Sequence, residues 1–203
     1  MKTLRILFLL LPLFAISTTA HAAVITTMSV TGGEEFNTDT QRMNLLGAGF
    51  TDTGNIYTST HIEAGWGTGN HWLGGSTAQE RVVEFSLGGT YTVNEVHIWN
   101  MNTGSTYQAD SVDIIFSENA TFGDADDTEV NFNLFVAAGY GNSYTGEHFT
   151  FTSIANATHV RLEATGSGSF VGLSEFRVSQ IPEPSSTLLV GLAVMFGLLR
   201  RRR

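Results

Sequence analysis

The stretch EVHIWNM, residues 95–101, places Val96, Ile98 and Asn100 on one face of an extended chain and His97, Trp99 and Met101 on the other. HVRLEA, residues 159–164, likewise sets Val160 and Leu162 against Arg161 and Glu163. A period of two fits a strand with one buried face and does not fit a helical stripe. The pattern predicts strands over 24–30, 81–87, 91–101, 111–117, 130–137, 147–153, 158–164 and 170–178. No helical periodicity is sustained between the two ends of the chain, so the body reads as an all-β, antiparallel β-sandwich. Within SLGGTYTV, Gly88 and Gly89 predict a hairpin turn. Residues 32–75 break the pattern with a long, polar, glycine-studded stretch. Loops of that length in compact domains are usually functional or structured by something else.

Both ends are appendages. Lys2 and Arg5 precede an apolar run from Ile6 to Ile16, and Ala20-His21-Ala22 supplies a small-residue cleavage site. These are the three parts of a secretory signal peptide over 1–22, with the cut expected between Ala22 and Ala23. At the other end Pro182, Glu183 and Pro184 precede a short apolar run, 188–199, and then Arg200, Arg201, Arg202 and Arg203. Twelve residues make a helix of about 18 Å, short against a hydrocarbon core of about 30 Å. The arginines favour a cytoplasmic C-terminus, so the body, 23–180, faces outward. The prolines keep the segment before the helix extended and accessible.

Between Ala23 and Gln180 there are four arginines, no lysine and 18 carboxylates, a formal charge of −14. Such a surface repels phosphate backbones, which argues against nucleic acid as a partner. The chain has no cysteine, which excludes disulfides, thiol nucleophiles and thiolate metal sites. About 158 residues can build a core without such staples. The histidines His61, His71, His97, His148 and His159 show no HExxH or other tight metal spacing. GWGTGNHWLGGS is not a nucleophile elbow and precedes no helix that would cradle phosphate. No enzyme motif stands out, and the expectation is a non-catalytic protein. GDADDTE (Asp124, Asp126, Asp127, Glu129) begins like a calcium loop but lacks the remaining spacing, and reads as a solvated turn. Trp66, Trp72, Tyr107, Tyr140 and Tyr144 fall in or near predicted loops. There they could serve as sugar-binding faces or as caps on the core.

Two resemblances sharpen this reading. The tail, with Pro-Glu-Pro, one hydrophobic helix and an arginine cluster in that order, resembles the PEP-CTERM sorting signal of Gram-negative bacteria. That resemblance implies recognition of Pro182, Glu183 and Pro184 by an exosortase. It also implies a transient stay in the inner membrane through the C-terminal helix, then the cell surface or extracellular matrix as destination. The body resembles a discoidin-like (coagulation-factor C-type, galactose-binding-like) jelly roll, through HWLGGSTAQERVVEFSLGGTYTVNEVHIWNMN, SVDIIFSENATFGD and VGLSEFRV. This implies a loop-end site for extracellular polysaccharide, to which Trp66, Trp72, Tyr140 and Tyr144 are the candidate contributors. It also implies a structural Ca²⁺ held by Asp52 and Glu175. The alternative is a structural component of a biofilm matrix with no specific ligand.

Overall fold

In the computed structural model, residues 22–34, 41–62, 69–75, 81–101, 107–135 and 144–181 are described. The first strands are β1 (Ala23–Val24), β2 (Ser29–Gly33), β3 (Phe50–Thr51), β4 (Thr60–His61) and β5 (Trp72–Gly74). They are followed by β6 (Val82–Asn100), β7 (Ser111–Ser117), β8 (Thr128–Asn133), β9 (Tyr144–Thr145), β10 (Glu147–Thr165) and β11 (Val171–Gln180). One short 3₁₀ turn, Arg42–Leu46, interrupts the β pattern.

The long strands β6 and β10 pair with each other antiparallel along nearly their whole length, with register shifts between Thr150 and His159. The early part of β6 also pairs with β2, and its later part with β11. The late part of β10 pairs with β7, which pairs with β8. β6 and β10 therefore pass from one layer to the other, giving β1-β11-β6-β10 on one side and β2-β6-β10-β7-β8 on the other. Phe85 of the second layer meets Phe176 of the first at 5.4 Å between ring centres. Val83, Val96, Ile98, Val160, Leu162 and Val178 fill the space around them, all fully buried. The apolar halves of EVHIWN and HVRLEA thus form the core, as alternation requires.

The Gly88-Gly89 pair does not make a hairpin. The chain continues through it as β6 and bends there, because Gly88 adopts a φ of +78° and lies so close to Thr27 that a Cβ would fall 2.7 Å from its carbonyl oxygen. A glycine pair serves a bend between layers as well as a turn between strands. The predicted 147–153 and 158–164 strands likewise merge into β10, while 24–30 divides into β1 and β2.

Candidate functional site

Alternation that sends Val96, Ile98, Phe176 and Val178 inward must send their neighbours outward. β6 presents Glu95, His97 and Trp99 on its outer face, β11 presents Glu175, Arg177 and Ser179, and β10 adds His148. An open sheet face would leave these in water, yet Glu95, His97, Trp99, Glu175 and Ser179 are buried. The polar segment 41–62 lies across them. Phe50 meets the Trp99 ring edge-on at 5.1 Å, and Tyr57 packs on His148 at 4.8 Å and His97 at 5.7 Å. The Gly47 N–H donates to Glu175 Oε2 at 3.0 Å. The long loop flagged in the sequence is a strap over a buried titratable face.

That face is internally paired. Tyr57 O–H donates to Glu95 Oε2 at 2.8 Å, and burial together with that carboxylate pushes the phenol up to about 12. His97 Nε2 lies 2.7 Å from Ser179 Oγ, and its Nδ1 lies 2.7 Å from His148 Nδ1. Two ring nitrogens that close share one proton, so at least one imidazole is neutral. Burial and the neighbouring His148 hold His97 down at about 3. The Ser179–His97 distance would suit a nucleophile and its base, but Ser179 is fully buried. The pair therefore lies beneath the described surface.

Glu175 has its own cation. Arg177 sits 2.6 Å from Oε1, and its guanidinium lies over the Phe50 ring at 5.3 Å. Burial raises the Glu175 carboxyl, while Arg177 and the Gly47 N–H pull it back. Asp52 Oδ1 accepts from the Gly54 N–H at 2.8 Å and from Ser59 Oγ at 3.3 Å, and is spent on its own turn. Calcium takes six to eight oxygens. A carboxylate already shared between an arginine and a backbone N–H does not fit that ion as placed.

Between the strap and β1/β11 opens a cleft of about 750 Å³. Phe50, Asp52, Asn55 and Tyr57 line it from the strap, Ala22, Val24 and Thr26 from the β1 side, and Arg177 from β11. It combines two aromatic rings with carboxylate, amide, hydroxyl and guanidinium groups. Tyr57 is 41% exposed, which leaves part of its surface open to a ligand.

Of the aromatics anticipated from sequence, Trp72 is fully buried in the core, with its indole N–H donating to Glu34 O at 2.8 Å. Tyr144 is half-buried, and its hydroxyl bonds Asn100 O and, at 2.7 Å, Ser174 Oγ. Neither joins the cleft. Trp66, Tyr140, Pro182, Glu183, Pro184 and Arg200 to Arg203 lie outside the described residues. Of the anticipated calcium ligands, Asp52 lines the cleft and Glu175 lies beneath it, tied to Arg177. Phe50, Tyr57 and Arg177 were missed as cleft-lining residues. The one signal for the first two was their place in the long polar stretch. Asp124, Asp126 and Asp127 do converge, and Asp126 accepts from the Glu118 N–H as a turn-forming residue would.

A family model described as the PEP-CTERM protein-sorting motif matches residues 180–203. The tail is a PEP-CTERM sorting signal. Such a signal marks an exported protein, and the strand that feeds it, β11, is the one that carries Arg177 to the cleft. The body has the fold of an F5/8 type C domain from Bacteroides fragilis, with a TM-score of 0.51 at 12% identity over 80% of this chain and 98% of that one. It matches equally a CBM32-3 domain from a family 31 glycoside hydrolase of Clostridium perfringens, with a TM-score of 0.51 at 15% identity over 78% and 94%. A family 89 glycoside hydrolase from Clostridium perfringens also matches, with a TM-score of 0.49 at 18% identity over 78% of this chain. The chain spans 15% of that enzyme's length. No curated protein sequence matches the chain. Among the described residues no helix is long and apolar enough to cross a membrane.

Proposed function

We propose that this PEP-CTERM protein is a non-enzymatic cell-surface or matrix protein whose discoidin-like body binds saccharide in the cleft between the strap and β11. The cleft itself carries the reading. Sugar rings stack their C–H faces on aromatic side chains while their hydroxyls need convergent polar partners. Tyr57 and Phe50 supply the first requirement, and Asp52, Asn55 and Arg177 the second. The fold shared with a CBM32 domain supports the same class of ligand, and the buried Ser179 offers no hydrolytic centre.

Tyr57→Ala removes one stacking face and unties the strap from Glu95. Affinity for whichever glycan an array of the mature protein identifies is expected to fall about 10-fold or more, as loss of a packed aromatic anchor does. Titration calorimetry reads it, and an unchanged affinity would move the binding surface elsewhere. If the mature protein binds no glycan, with or without Ca²⁺, the structural matrix role replaces the lectin role. The sorting half of the proposal is tested separately by mass spectrometry of protein from the native cell. A C-terminus lost near Pro182–Pro184 is expected, and an intact Arg203 would contradict exosortase processing.

A further inference from the structure

β1 pairs with the end of β11, Ala23 opposite Gln180 and Val24 opposite Ser179. Ala22 lines the cleft beside Val24 and Thr26, so the peptide bond expected to be cut by signal peptidase joins a cleft-lining residue to Ala23, and the cut sets the new terminus at the edge of the cleft. Cutting there removes Ala22 and leaves Ala23 with a free α-amine. That amine has an ordinary pKa near 8 and is largely cationic at neutral pH.

Every arginine between Ala23 and Gln180 is already engaged. Arg42 donates to Gly33 O, Arg81 to the carbonyls of Gly75, Gly166, Gly168 and Ser169, Arg161 to Glu84, and Arg177 pairs with Glu175. With no lysine in that span, the new ammonium adds a cation to a domain whose four arginines are each already held by a carbonyl or a carboxylate. It forms at the start of β1, between the lining position of Ala22 and that of Val24 and opposite Gln180 of the strand that bears Arg177.

We propose that signal-peptide removal completes the binding cleft: the α-ammonium of Ala23 is a ligand-contacting group that selects an acidic saccharide, one bearing a carboxylate. This rests on the saccharide reading of the cleft. The precursor and the mature protein then differ in specificity, because the precursor carries an uncharged peptide group where the mature protein carries an ammonium. A charge-assisted hydrogen bond to a carboxylate is roughly twice as strong as its neutral counterpart. The domain as a whole, at −14 before the ammonium is counted, disfavours the same ligand over most of its surface.

The composition supplies an unusually clean test. Lys2 is the sole lysine of the whole chain and leaves with the signal peptide, so Ala23 carries the one primary amine of the mature protein. Mild acetylation with an amine-selective reagent neutralises that group and nothing else, and mass spectrometry counts the single adduct. Binding of the exported, processed protein to a short oligouronate and to a neutral oligosaccharide of equal length is then compared before and after. Acetylation is expected to weaken oligouronate binding about 10-fold or more and to leave the neutral sugar within about two-fold. Unchanged oligouronate binding overturns the role of the ammonium and leaves the cleft reading standing. An altered melting temperature with unchanged binding also overturns it, since the amine then serves Asp52 or another internal partner. Absence of binding to either sugar before acetylation sinks the cleft reading and this inference together.

Discussion

Lowering the pH from 6.5 to 4 is expected to cost the folded body on the order of 4 kcal/mol of stability. His97 and His71 are fully buried, and burial holds them at about 3 and about 4, helped by the neighbouring His148 and His61 respectively. Among the described residues neither ring nitrogen of His71 has a hydrogen-bond partner that would compensate a charge. An unfolded histidine titrates near 6.5. Below that pH the unfolded chain therefore binds about two protons that the folded chain refuses, and each costs about 1.4 kcal/mol per pH unit. His61 and His148, also lowered by burial, act in the same sense. Glu175 acts in the opposite sense. Its raised carboxyl makes folding more favourable as pH falls, but only down to the unfolded value near 4.3, and one proton does not cancel two. The net loss is about 1.4 kcal/mol per unit from 6.5 to 4, since near pH 4 His71 begins to take up its own proton as Glu175 ceases to oppose the loss. Urea unfolding at pH 6.5, 5.5, 4.5 and 4 measures it. A midpoint at pH 4 equal to that at pH 6.5 would show that these imidazoles charge freely in the folded state. Set against a usual total of about 5–15 kcal/mol, the loss brings the domain near its threshold.

The sandwich was readable from sequence because its signal is local. Val96 and Ile98 or Val160 and Leu162 point inward for the same reason that any apolar alternation does, and the core they enter is continuous. The Gly88-Gly89 hairpin was misread because a local pattern does not say whether the chain turns back or runs on. The deciding partners are the β10 residues from Ile154 to His159, more than 60 positions away, which keep pairing past the glycines.

The site was legible only as a region. His97 and Trp99 were grouped on the face opposite Val96 and Ile98, yet alternation gives no hint that this face is covered. That depends on the 41–62 segment folding back over it, through contacts such as Phe50 on Trp99. The same long-range packing took Trp72 out of the ligand-facing set, because a tryptophan in a loop-like context and one in a three-residue strand beside β11 look alike in one dimension. Arg177 was hidden for a simpler reason. It follows Glu175 at strand spacing, and nothing in SEFRV says that the two share a buried ion pair rather than separate surface positions.

That pair gives the other large expectation. Arg177→Met removes the cation 2.6 Å from a carboxylate that is fully buried, and leaves Glu175 with the Gly47 N–H alone. Stranding one partner of a buried pair typically costs about 3–5 kcal/mol. The stranded carboxyl escapes by holding its proton, and this fixes the sign of the pH dependence. With its folded value raised further above the unfolded 4.3, the variant keeps its stability near pH 4.5 and loses it as the pH rises. Burial already raises Glu175 to about 8 in the unmodified protein, so the penalty relative to it is expected to stay under about 1 kcal/mol from pH 4.5 to 7 and to grow by about 1.4 kcal/mol per pH unit only above pH 8. Glu175→Gln combined with Arg177→Met has no carboxyl to strand. The double variant is expected to show no such increase above pH 8. A double variant as unstable as Arg177→Met would mean that the arginine acts through its packing on Phe50 and not through its charge. The cleft reading gains an independent check from the same proteins. The double variant restores the fold without restoring the guanidinium, so glycan affinity that returns with stability would remove Arg177 from the binding surface, and affinity that stays lost would keep it there.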